Sequence, residues 1–206
     1  MFESIILAGV LNNVSTSWED PSVLGYFGTY GNVGTVEYTD AESYSGDYSL
    51  SITEAVDGNN TPQVFVAYIT GLSEGDTVTA SAWMLGLDGD GDGDSAKGRL
   101  WGHYFDGSDL TSYEGSASGP SSYGGEDATW SNTDHTWTVA AGKTALIIEA
   151  RIYSYSGGDE QIWIDDLIVS SSNANASIFV GGVPIPAPGA LALLGLAGLG
   201  RRRRNG

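Results

Sequence analysis

The segment Ala145–Tyr153 constrains the fold more than any other: Leu146, Ile148, Ala150 and Ile152 alternate there with Ile147, Glu149, Arg151 and Tyr153. A period of two puts the first set on one face of a strand and the second, mostly polar, on the other, as a sheet with one buried face requires. Seven further stretches read as strands between Gly, Asn, Asp and Ser turns. They are Val33–Thr39, Asp47–Thr53, Gln63–Thr70, Thr77–Met84, Arg99–Phe105, Thr133–Val139 and Gln161–Val169. Strands of this number and spacing predict an all-β fold, a two-sheet antiparallel β-sandwich of the jelly-roll kind. Thirty glycines among 206 residues suit so many turns, and the composition, 41% hydrophobic and 11% aromatic, suffices for a core.

The same parity locates candidate binding residues. In Arg99–Phe105, Leu100 and Tyr104 fit the inward face, which leaves Arg99, Trp101 and His103 outward. On Ala145–Tyr153 the outward polar set is Glu149, Arg151 and Tyr153. If the two rows share a sheet they form a polar groove with ring faces, the surface a sugar needs. The alternative for Trp101 is ordinary core packing. Trp83 and Trp163 read as core or inter-sheet fillers, and Asp106–Ser131 as a long surface loop.

Charge narrows the partners. Eight basic residues oppose 26 acidic ones, for a formal net charge of −18. Four of the eight are Arg201–Arg204, so the rest of the chain keeps only Lys97, Arg99, Lys143 and Arg151 and stands near −22. Such a body repels nucleic acid and anionic membranes and favours cations and neutral partners. The absence of cysteine excludes disulfides, thiol catalysis and thiolate metal sites. His103 and His135, the two histidines, lack a metal-ligand spacing, and no nucleophile elbow or phosphate loop occurs. No enzyme is expected. The run Asp88–Asp94 places Gly93 where a calcium loop of the EF-hand type has its glycine. Arg99, however, stands where that loop needs a bidentate glutamate. It reads as a solvated hairpin tip, with a calcium loop as the alternative.

From Leu167 to Gly200 no side chain is charged. Pro184, Pro186 and Pro188 precede the apolar run Ala190–Gly200, and Arg201, Arg202, Arg203 and Arg204 follow it. A helix from Gly189 to Gly200 would be about 18 Å long, short against the roughly 20 residues of a membrane span unless the proline segment is added. The arginines would hold the terminus on the cytoplasmic side. This order of proline motif, apolar helix and arginine cluster resembles the PEP-CTERM sorting signal over Val183–Gly206, with Ala187 where the family carries glutamate. The resemblance implies processing by an exosortase-type membrane enzyme. It also implies export to the cell envelope, cell surface or extracellular matrix, with transient membrane anchoring through a C-terminal hydrophobic helix. At the other end, Ile5–Leu11 is apolar but Glu3 stands where a signal peptide is positive, so a start upstream of Met1 is expected. The organisation read from the sequence is residues 1–16 as an N-terminal segment with the remnant of a signal peptide as one reading, 17–170 as the jelly-roll body, 171–182 as a linker and 183–206 as the sorting tail.

The body also resembles the family 4/9 carbohydrate-binding modules and their galactose-binding-like relatives. The phrases that carry this are Ser17–Asp20 (SWED), Tyr44–Leu50 (YSGDYSL), Gly71–Thr77 leading into Ser81–Trp83 (SAW), and Ile162–Leu167 (IWIDDL), in that order. The resemblance implies a structural calcium held by Glu19, Asp166 and Asp47; the alternative is that these acids bond to turns. It further implies non-catalytic binding of extracellular polysaccharide, with a purely structural surface protein as the other reading.

Overall fold

The computed structural model describes residues 12–55, 60–87, 95–153 and 160–184. Residues 1–11, the Asp88–Asp94 run and everything after Pro184, including Pro186, Pro188, Arg201–Arg204 and the expected C-terminal helix, lie outside them.

Alternating segments build two antiparallel sheets of six strands each. The strands are β1 (Asn12–Thr16), β2 (Thr29–Tyr30), β3 (Val33–Thr39), β4 (Ser49–Glu54), β5 (Gln63–Thr70) and β6 (Thr77–Leu87), followed by β7 (Lys97–Tyr104), β8 (Ser116–Ser118), β9 (Ser131–Thr138), β10 (Ala145–Tyr153), β11 (Gln161–Ser171) and β12 (Ser177–Val180). The first sheet runs β3-β4-β11-β6-β9, with β1 also on β11. The second runs β12-β5-β10-β7-β8, with β2 also on β5. Among the described residues the only helical element is a 3₁₀ turn at Glu126–Ala128. The sandwich extends beyond the 17–170 bounds of the sequence reading, because β1 pairs with Leu167–Ser171 and β12 with Ala67–Thr70. The 171–182 linker therefore contains a strand.

The core lies between the sheets. Leu146, Ile148, Ala150 and Ile152 of β10 face Ile162 and Ile164 of β11, Met84 of β6, and Leu50 and Ile52 of β4, all essentially inaccessible. Each large aliphatic side chain so buried is worth about 1.5–3 kcal/mol. Trp18 belongs to the same core and donates its indole N–H to the Gly25 carbonyl at 2.8 Å. Its backbone takes a positive φ of 54°, a conformation that costs a non-glycine residue energy and persists only where packing enforces it.

β11 carries the main irregularity. It pairs with β4 up to Ile164 and with β1 from Leu167. Between them the register against β6 slips, and Asp166 adopts a φ of 47°. This β-bulge moves the inward set from Ile162 and Ile164 to Leu167 and Val169.

The two tryptophans read as fillers divide, one exposed in part and one buried. Trp83 is not a core filler: it lies on the outer face of the first sheet, half-buried, with its ring stacked on Tyr44 at 3.9 Å and 10°. Trp163 is buried, although by the parity of Ile162 and Ile164 it lies on the outer side of the strand, and its indole nitrogen has no hydrogen-bond partner among the described residues. Alternation along β6 puts Ala80, Ala82 and Met84 inside, which leaves Trp83 outside.

Candidate functional site

The outer face of the second sheet carries the polar groove. β10 pairs directly with β7, so that Glu149 lies opposite Trp101, Arg151 opposite Arg99 and Ile147 opposite His103. On its other side β10 pairs with β5, which sets Gln63 opposite Arg151 and Phe65 opposite Glu149. Arg99, Trp101, His103, Glu149, Arg151 and Tyr153 thus share one face of neighbouring strands.

Their side chains form a connected network. Glu149, 1% exposed, holds His103 Nδ1 through one carboxylate oxygen and accepts the Arg151 Nε–H at 2.6 Å through the other. Arg151 also donates to Gln63 Oε1 at 3.3 Å. Arg99 donates to the Tyr153 hydroxyl at 2.7 Å and to the Pro120 carbonyl at 3.2 Å. The Trp101 ring lies by both guanidiniums, with Arg99 4.6 Å and Arg151 4.5 Å from its centroid. Its indole N–H donates to the Ser116 hydroxyl at 3.1 Å. Such cation–π contacts hold a half-exposed ring in place at about 0.5–1 kcal/mol each. Glu149 is thereby a brace beneath the surface, whereas Trp101, Arg99, Arg151 and Tyr153 retain partial exposure.

The stretch read as a long loop builds the walls. Asp106 and Asp109 accept backbone N–H groups of Ser108, Asp109 and Thr111 and fold the turn, and Glu114 and Gly115 return it to Tyr104 through backbone bonds. Tyr113 consequently stands 5.6 Å from the His103 ring. Farther along, Gly124 exchanges two backbone bonds with Gly98, bringing Tyr123 against Tyr153 and over Arg99 at 5.0 Å. On its core side Gly98 packs against Met84 and Ile162, where a Cβ would sit 2.6 Å from the Met84 sulfur. Between the turn and the sheet opens a hollow of about 430 Å³, walled by Gln63, Phe65, His103, Tyr113, Glu149 and Arg151 together with Tyr30 and Leu110–Ser112. Glu149 is the one carboxylate in that lining, whereas glycoside hydrolysis ordinarily needs two.

Sequence reasoning missed Tyr30, Gln63, Phe65 and the wall at Leu110–Ser112. Gln63 and Phe65 share outward parity at the start of β5, and that signal was available. The wall is set by turn bonding rather than by periodicity.

Two of the acids expected to hold calcium accept hydrogen bonds from the turn beside them. Glu19 accepts the amide of Asp47 at 2.9 Å and that of Tyr48 at 3.4 Å, and Asp166 accepts the Ser45 hydroxyl at 2.8 Å. Asp165, which the sequence reading passed over, is fully buried and accepts the amides of Tyr44 at 2.8 Å and Ser45 at 3.0 Å. Burial pushes its carboxyl up to about 6 despite the opposing amide bonds from Ser45, Asp166 and Tyr44. The change of inward parity in Ile162–Val169 was the available signal for Asp165. Among the described residues no three Asp, Glu or His side chains gather as a metal-holding group, and Glu19, Asp165 and Asp166 together brace the turn from Tyr44 to Tyr48.

The fold is similar to that of solved carbohydrate-binding modules. The CBM22-1 xylan-binding domain from Paenibacillus barcinonensis Xyn10C superposes with a TM-score of 0.51 at 17% identity, over 78% of this chain and 94% of that one. The second family 22 module of the same protein gives 0.51 at 17% identity, over 77% and 99%. The C-terminal family 22 module of Clostridium thermocellum Xyn10B gives 0.51 at 17% identity, over 84% and 96%. The likeness establishes the fold alone, an all-β two-sheet antiparallel sandwich. No protein-family model and no curated protein matches the chain.

Proposed function

We propose that this chain is a non-catalytic polysaccharide-binding protein that takes a neutral glycan on the outer face of its second sheet. The observation that carries this reading is the Trp101 ring, set beside two immobilised guanidiniums on the face that also holds the hollow. A flat apolar surface flanked by fixed donors matches a sugar, whose ring has an apolar C–H face and an equatorial rim of hydroxyls. Glu149 fixes the orientation of His103 and Arg151, Tyr113 and Phe65 supply apolar walls, and Gln63 and Tyr153 add polar ends. The formal charge of −18 favours a neutral polymer over an acidic one. A fold similar to that of xylan-binding domains supports the reading, although fold alone does not set a ligand.

Export, a place at the cell surface or in the matrix, and sorting by residues 183–206 through an exosortase-type enzyme belong to the same proposal, supported by the ordered tail signature. Native gels cast with soluble xylan, galactan or mixed-linkage glucan test the binding claim. The protein is expected to be retarded by at least one polymer, and equal mobility in all of them would refute it.

A further inference from the structure

A second hollow, about 310 Å³, lies on the outer face of the opposite sheet. Its wall is Trp83, and Ser15, Ser17, Ser81, Asn132 and Asp166 surround it. The register explains the grouping. Ile168 pairs with Ser15 on one side and Ser81 on the other, while Trp83 pairs with Asn132. The bulge at Asp166 brings its carboxylate to the same rim, where Ser45 holds it.

One face of the Trp83 ring is held by a stacking partner. Tyr44 stacks on it, and the two carboxylates below lock the Tyr44 turn through the amides of Tyr44 and Ser45 and the Ser45 hydroxyl. Tyr44 and Ile168 are nonetheless 41% and 47% exposed, an apolar margin beside a ring of hydroxyls, an amide and a carboxylate. No element of the sandwich needs that margin for its core. We infer that this hollow is a second saccharide site on the face opposite the Trp101 groove, taking a neutral, hydroxyl-rich sugar. An acidic sugar is excluded by Asp166 at the rim and by the net negative charge of the chain.

Two sites on opposite faces of one sandwich engage separate polymer chains, so the protein would cross-link polysaccharide rather than only coat it. Cross-linking rests on the proposed groove; the second site does not. The test reads both tryptophans separately, by the indole N–H resonances of the full chain titrated with xylohexaose, cellohexaose and β-1,4-galactotriose. Trp83 is expected to shift with at least one of them, in the wild type and in Trp101→Ala alike. Ser81→Met, which fills the hollow from a surface position, is expected to abolish that shift and leave the response of Trp101. A Trp83 resonance that none of the three sugars moves overturns the inference, as does a shift that disappears in Trp101→Ala. The fate of the groove is read independently from Trp101.

Discussion

At the scale of residues, the groove and the Tyr44 turn each rest on one buried carboxylate. Glu149 joins His103 and Arg151 beneath the groove, so Glu149→Gln removes the charge that both partners face. Breaking a buried ion pair from one side costs about 3–5 kcal/mol, and urea unfolding of the variant should show a loss of that order; a loss below about 1 kcal/mol would show the brace to be dispensable. Asp165 behaves differently because burial raises its carboxyl to about 6. The folded chain then holds that proton more tightly than the unfolded chain does. Its contribution to stability is complete below about pH 4 and declines as pH rises through about 6. Wild-type stability should therefore fall across that interval relative to Asp165→Asn, and parallel pH profiles for the two proteins would contradict the assignment. In the sequence, Asp165 and Asp166 stand as equivalent neighbours. Only the bulge, which buries one and turns out the other, tells them apart.

At the scale of elements, the strands with clean alternation were legible and the short ones were not. β3, β5 and β10 occupy the expected spans Val33–Thr39, Gln63–Thr70 and Ala145–Tyr153, because runs of Val, Ile, Tyr and Thr with one consistently apolar face mark them between turn residues. β2 and β8 have two and three residues, too few to show a period. β1 and β12 lie in long uncharged stretches of the sequence, residues 4–18 and 167–200, where polar contrast is weak. The groove residues on β7 and β10 followed from parity, whereas Trp83 was misplaced because its apolar neighbours Ala82 and Met84 disguised which face was inward. Packing between the sheets supplies the test at this scale. Ile148 is fully buried in the centre of β10, and Ile148→Ala should cost about 2–5 kcal/mol in unfolding free energy. A cost under about 1 kcal/mol would mean that the inter-sheet core is far looser than its burial implies.

For the whole molecule, the sandwich presents two worked faces, and the tail signature follows its last described strand. The order of Pro184, Pro186, Pro188, apolar run and four arginines predicts removal of the tail near Pro188 in a host with the sorting enzyme. Mass measurement of the surface fraction should find a shortened C-terminus there, and an intact chain recovered only from cytosol would oppose that reading. The central claim, that the outer face of the second sheet binds polysaccharide, meets its most direct test in calorimetric titration of wild type and Trp101→Ala with the polymer that most retards the protein in native gels. Trp101 is half-buried and outside the core, so loss of its two cation–π contacts and one hydrogen bond should leave the variant folded and within about 3 kcal/mol of wild type. Its affinity should fall at least about tenfold, equivalent to about 1.4 kcal/mol. Unchanged affinity in a folded Trp101→Ala protein would contradict the claim.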